Sequence, residues 1–223
     1  MDAQEVGIRF GDEQLSGLLL RPRKPKALYL FAHGAGAGMR HKAMESNALG
    51  LAGRGIATLR YHFPFMEKGS RRPDPPRVAQ AAVRAAAAKA VELAPDLALF
   101  AGGRSFGGRM TSQAQAIEPL SNVRGLAFIG FPLHPAGKPG IERAEHLSRV
   151  DIPMLFVSGD RDALAELELL KSVVAGLGER AALHLVPGAD HSFKVAAKSA
   201  RIAGEAEAEA LDALAAWILE RSA

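Results

Sequence analysis

Eight short runs along the chain are apolar at most positions and end in glycine, proline or a polar cluster. The first two, "EVGIRF" and "QLSGLLLRP", alternate enough to predict paired strands at one edge, joined by a turn around Gly11 and Asp12. Beyond the polar loop "RPRKPK" the pattern changes to "ALYLFAHG", "GIATLRYHF", "LALFAGG", "VRGLAFIGFP", "IPMLFVSGD" and "AALHLVPGA". Segments apolar at nearly every position, rich in β-branched and aromatic residues, belong to strands covered on both faces, as in a parallel sheet. Helical patterns separate them. "PPRVAQAAVRAAAAKAVELA" opens on prolines suited to a first turn and continues with strong helix formers. A second helix is expected from Ser105 to about Ile117, a third over "DALAELELLKSVVAGLG" with a glycine cap, and a fourth over "AEAEALDALAAWILERS". In the last, Leu211, Leu214 and Ile218 share one face that would dock on the sheet.

Strands alternating with helices predict an α/β fold: a mostly parallel sheet of about eight strands with helices on both faces. With 223 residues and neither linker nor composition break, residues 1–223 read as one domain. Composition then removes several chemistries. There is no cysteine, which excludes disulfides, a thiol nucleophile and thiolate metal sites. The net charge is only +4, and the one basic cluster, Arg71, Arg72 and Arg77 in "GSRRPDPPR", is broken by prolines and an aspartate. A solvated loop explains it better than a nucleic-acid surface, so no nucleic-acid partner is expected. The start "MDAQEVGIRF" is not basic then apolar, and no apolar run approaches a membrane span; the expectation is a cytosolic protein with no membrane partner.

In open parallel sheets, functional groups gather beyond the C-terminal ends of the strands. One of those ends reads "GGRSFGG", a lone hydroxyl among glycines, and Gly103-Arg104-Ser105-Phe106-Gly107 has the G-x-S-x-G form of a nucleophile elbow. Another ends in "SGDRD" with Asp160 and Asp162, and a third is followed by "PGADHSF" with His191. Serine needs a base to become a nucleophile; imidazole supplies it, and a carboxylate on the other ring nitrogen fixes the tautomer. Between the two acids we prefer Asp162, because Gly159 and Asp160 are placed to make the turn itself. The developing oxyanion needs donors, for which the backbone N–H groups of Phe106 and of Ala35, in the loop "AHGAGAGM", are the candidates. Gly34-x-Gly36 also looks like half of a dinucleotide-binding turn. Met39 stands where a third small residue should be, and the next strand ends in "LRYHF" with no acid for a ribose, so no cofactor is expected. None of the seven histidines has H-E-x-x-H or comparable spacing, so no metal is expected either. His33, Met39, His62 and His134 are candidates for lining the pocket, whereas His41, His146 and His184 read as surface or packing residues.

On "HGAGAGM", "RYHFPFMEKG" and "GGRSFGGRM" the chain resembles the α/β-hydrolases over essentially its whole length. More closely it resembles their small dienelactone-hydrolase-like branch, whose relatives include a testis-expressed hydrolase-like protein and a subunit of a eukaryotic histone-acetyltransferase complex. The resemblance implies about eight strands and a triad of Ser105, Asp162 and His191. Dienelactone hydrolases use a cysteine nucleophile; this chain has Ser105. In larger members of the fold a lid domain enters after the strand at 123–131. Here that connection is "FPLHPAGKPGIERAEHLSRV", with room for a loop and a short helix and none for a lid domain. The expected site is therefore open and shallow, bordered by this connection and by "PFMEKGSRRPDPP", and suited to a small acyl group. The expected activity is hydrolysis of small carboxylic esters or thioesters through an acyl-enzyme on Ser105. The alternative is a hydrolase-shaped scaffold that binds a partner with its triad idle.

Overall fold

In a computed structural model, described here for residues 2–196, 201–202 and 204–222, the eight apolar runs become eight strands of one sheet. β1 (Gln4–Phe10) and β2 (Glu13–Leu20) form an antiparallel hairpin turned at Gly11, whose φ of 58° suits glycine. β3 (Ala27–Ala32), β4 (Ile56–Tyr61), β5 (Ala98–Arg104), β6 (Val123–Ile129), β7 (Met154–Gly159) and β8 (Ala181–Val186) all run parallel. The order across the sheet is β1-β2-β4-β3-β5-β6-β7-β8, with β2 antiparallel to β4.

Every residue of β3, β4 and β7 is buried, the burial expected of strands covered on both faces. Alternate residues feed two cores. Leu28, Leu30 and Ala32 of β3 join one core, and Ala27, Tyr29 and Phe31 join the other. The first core takes α3 (Pro76–Leu93) through Ala79, Val83 and Ala86, α4 (Phe106–Ile117) through Met110 and Ala114, and α5 (Leu167–Gly176) through Leu170 and Val174. The second takes α1 (Lys42–Gly53) through Met44 and Leu51, and α6 (Glu205–Glu220) through Leu211, Leu214 and Trp217. A one-turn helix α2 (Pro64–Glu67) lies after β4.

Two expectations shift. α1 has no counterpart in the sequence reading, because "KAMESNALGLAG" mixes glycines and polar residues into a weak apolar face. The helix expected from residue 162 begins at Leu167, since the preceding residues make a turn and Glu166 caps the first amides with its carboxylate (Glu168 N at 3.2 Å, Leu169 N at 3.0 Å). Between β6 and β7 the chain is a loop with a 3₁₀ segment, Glu142–Arg149, and no lid domain. His146 of that segment meets Ser112 of α4, Nε2 to Oγ 2.7 Å, while the Ser112 hydroxyl donates to the Arg109 carbonyl. No helix among the described residues is long and apolar enough to cross a membrane.

Candidate active site

Ser105 sits between β5 and α4 with φ 48° and ψ −116°, a conformation that a side-chain-bearing residue holds only under strain. Its surroundings explain the glycines. A Cβ on Gly103 would overlap the Ala32 carbonyl of β3, one on Gly102 the Ala127 carbonyl of β6, and one on Gly107 would stand 2.5 Å from the His33 carbonyl. The elbow thus forms where β5 and the first turn of α4 press directly on neighbouring backbone.

The structure brings Ser105, His191 and Asp162 together from three strand ends. His191 Nε2 lies 3.0 Å from Ser105 Oγ, and His191 Nδ1 lies 2.7 Å from Asp162 Oδ2. The Asp162 side chain is fully buried, and its Oδ1 accepts from the Leu164 amide at 2.8 Å. Asp160 has a different partner: its Oδ1 accepts from the Gly188 amide at 2.7 Å, tying the β7 turn to the loop that leads to the imidazole. Gly34 brings the loop after β3 close to the elbow, within 3.9 Å of Ser105 Cβ for a Cβ built at Gly34. Among the described residues, the Ala35 and Phe106 amides donate to no backbone carbonyl.

Residues that the sequence did not single out complete the arrangement. Asp190 accepts at Oδ1 from the Ser192 and Lys194 amides (2.8 and 2.9 Å), closing the turn that carries His191. Arg104 Nη1 donates to Asn47 Oδ1 at 3.0 Å and lies 3.5 Å from Glu207 Oε1, while Asn47 Nδ2 donates to the same Glu207 oxygen at 2.6 Å. The Arg104 guanidinium also lies over the Phe193 ring, 5.7 Å from its centroid. The Asx-turn of Asp190 has a local signature; the polar triangle does not, since Asn47 and Glu207 are 160 positions apart.

The four expected pocket residues lie away from the opening. A cleft of about 990 Å³ leads from Ser105 and His191 between the loop 34–37, the start of α1, the turn after His191 and the start of α6. None of His33, Met39, His62 and His134 lines it. His33 is fully buried: its Nδ1–H donates to the Gly34 carbonyl at 2.7 Å and its Nε2 accepts from the Phe63 amide at 3.1 Å. His134 spends both ring nitrogens in the same way, on the Pro135 carbonyl and the Glu166 amide. His62 pairs with Glu67 at 3.3 Å, and Met39 is buried, its carbonyl accepting from Arg60. The segments 62–78 and 132–151 therefore contribute no lining to this cleft.

Burial lowers the pKa of His33 to about 4, and burial with Arg109 and Arg149 nearby does the same to His146. In the unfolded chain both titrate near ~6.5, so on acidification the unfolded state takes up the proton first. Stability is full above that pH and declines as pH falls toward 4. The expected loss at pH 5 is on the order of 2 kcal/mol per histidine. Urea midpoints at pH 7 and pH 5 check this, with His33→Asn reducing the difference; an unchanged difference in the variant would refute the assignment.

A strained serine at the C-terminal end of the fifth strand of a mostly parallel sheet, reached by a histidine from beyond the last strand, places this protein in the α/β-hydrolase class. A family model for the alpha/beta hydrolase domain matches residues 25–219, and the chain belongs to that family. Among solved structures it is similar to a dienelactone hydrolase from Anabaena variabilis, with TM-score 0.78, 22% identity and 100% of both chains covered. It is also similar to a lidless α/β serine hydrolase from Xanthomonas campestris, with TM-score 0.68, 21% identity and 86% and 87% of the two chains covered. At these identities the likeness is one of fold. A Mycobacterium tuberculosis protein named as a phosphoribosyl transferase is 29% identical over 195 residues, covering 86% of this chain and 42% of that one. The chain thus spans less than half the length of this curated relative.

Proposed function

We propose that the protein is a serine hydrolase of carboxylic esters or thioesters, working through an acyl-enzyme on Ser105. The observation that carries this reading is the continuous relay from Ser105 Oγ through His191 to Asp162, at 3.0 and 2.7 Å. In it, His191 Nε2 takes the hydroxyl proton as Oγ attacks the carbonyl carbon, and the oxyanion accepts from the Ala35 and Phe106 amides. Collapse expels the alcohol or thiol, which leaves with the proton from His191. Water, deprotonated by His191, then cleaves the acyl-enzyme and releases the acid. Asp162 stays ionised throughout, holds the Nδ1–H tautomer and stabilises the imidazolium. Within the family we place the chain in the small dienelactone-hydrolase-like branch that includes the testis-expressed protein and the histone-acetyltransferase subunit. The transferase name of the mycobacterial relative is not carried over, because more than half of that protein has no counterpart here.

Labelling with a fluorophosphonate, read by intact mass, tests the reading. One adduct is expected on the wild type and none on Ser105→Ala. A folded wild type that takes no label would overturn the proposal and favour the scaffold.

A further inference from the structure

The cleft beside Ser105 is larger and more apolar than hydrolysis of a small ester requires. Its volume of about 990 Å³ is at the upper end of the range for sites that enclose a drug-sized ligand. Its apolar walls come from Ala37 before α1, Met44 of α1, Ile129 at the end of β6, Val195 after the His191 turn, and Ile202 and Ala206 around the start of α6. Ile202 is 71% exposed, an apolar side chain left to water beside the opening. Of the charged residues that line the cleft, Arg104 and Glu207 are engaged with each other and with Asn47, and Arg201 pairs with Glu209, so these parts of the wall can lie against an apolar group without stranding a charge, while Lys194 adds a cationic edge after the His191 turn.

Phe106, which follows the nucleophile, belongs instead to a packed aromatic cluster: it meets Phe63 and Phe65 edge to face (centroids 5.3 and 6.1 Å apart), Phe63 and Phe65 stack on each other, and His33 meets Phe63 edge to face at 5.0 Å. The cleft, lined by Ser105 itself, is where a sizeable substituent on the reacting ester finds room.

We propose that the substrate carries an apolar chain seated in this cleft, since each methylene that leaves water there adds a similar increment to binding. The inference rests on the hydrolase reading. It is continuous with that site: whatever fills the cleft while Ser105 reacts is bonded to the group Ser105 attacks. The chain can belong to the acid or to the alcohol, and the test separates the two.

Ethyl acetate, ethyl octanoate and octyl acetate are compared by pH-stat titration. Their ester groups are of similar reactivity, so kcat/KM reads the fit of the chain. One of the two longer esters is expected to exceed ethyl acetate by about 50-fold, less than full burial of six methylenes would give, because the cleft is open along one side. Which one it is identifies the acyl or the alcohol side. Ala206→Trp, which fills the cleft, is expected to lower that preference at least tenfold. Ile202→Asp, at an exposed position that tolerates substitution, is expected to lower it several-fold. Both longer esters within threefold of ethyl acetate, or a preference that neither variant changes, would overturn the proposal. If no ester is cleaved and no fluorophosphonate adduct forms, the hydrolase reading fails separately. Calorimetry then tests the cleft alone: octanoate binding that acetate does not share and Ala206→Trp weakens is expected, and no octanoate binding would overturn it.

Discussion

Ser105→Ala is expected to lower kcat/KM by about 10⁴-fold or more toward the best ester found, without loss of folded stability. The size of the loss follows from the relay. With Oγ gone, His191 has no proton to take and Asp162 no imidazolium to stabilise, leaving only the two amides and the binding of substrate. For the same reason His191→Ala should cost about as much, and the double variant little more than either alone, because residues that act as one unit do not contribute independently. Stability runs the other way. Ser105 is held at φ 48° and ψ −116°, and such backbone strain costs on the order of 1–3 kcal/mol wherever it occurs. Alanine keeps that strain and glycine relieves it, so Ser105→Gly should lose turnover as completely while its urea midpoint rises, corresponding to about 1 kcal/mol. A Ser105→Ala enzyme with near wild-type activity would remove Ser105 from the mechanism. A Ser105→Gly protein less stable than wild type would show that the elbow is not strained.

The sheet and the positions of Ser105, Asp162 and His191 were legible because each rests on local pattern. "ALYLFA" reads as a strand covered on both sides, and its alternate residues do feed two cores. The preference for Asp162 over Asp160 rested on turn geometry, and the two carboxylates divide accordingly between His191 Nδ1 and the Gly188 amide. The direction in which the site opens was not legible, for it depends on how loops fold rather than on where they begin. The polar, proline-rich "PFMEKGSRRPDPP" looks like the rim of an open site. Instead Asp74 accepts from the Phe65 amide at 2.9 Å, folding that loop onto α2, while Phe63 and Phe65 turn inward against His33. On the other side, Arg104, Asn47 and Glu207 carry no signature at any fixed spacing. They meet because α1 and α6 lie on the same face of the sheet, and the weak periodicity of α1 hid one of those helices.

Gly103→Ala is expected to yield no stably folded protein. Gly103 has φ 153° and pairs in register with Ala32 of β3, whose carbonyl occupies the space a Cβ needs. That neighbour is backbone in the middle of the sheet, so no rotamer change makes room. β3 and β5 would have to part at their C-terminal ends, where the one continues into the Gly34–Ala35 loop and the other into Ser105. Overpacking that only side chains must absorb costs about 1–3 kcal/mol, and a shift of paired central strands costs more. Domains are stable by only about 5–15 kcal/mol in total, so the variant should appear as insoluble or unfolded protein. Gly53→Ala is the matching control. A Cβ there meets nothing within 4 Å, and the residue lies in α1, where alanine is favoured over glycine by about 0.5–1 kcal/mol, so its melting temperature should hold or rise. Circular dichroism melts of the two variants decide the point. Should Gly103→Ala melt within a few degrees of wild type, β5 cannot press on β3 as described, and the backbone that presents Ser105 to the cleft would have to be placed differently.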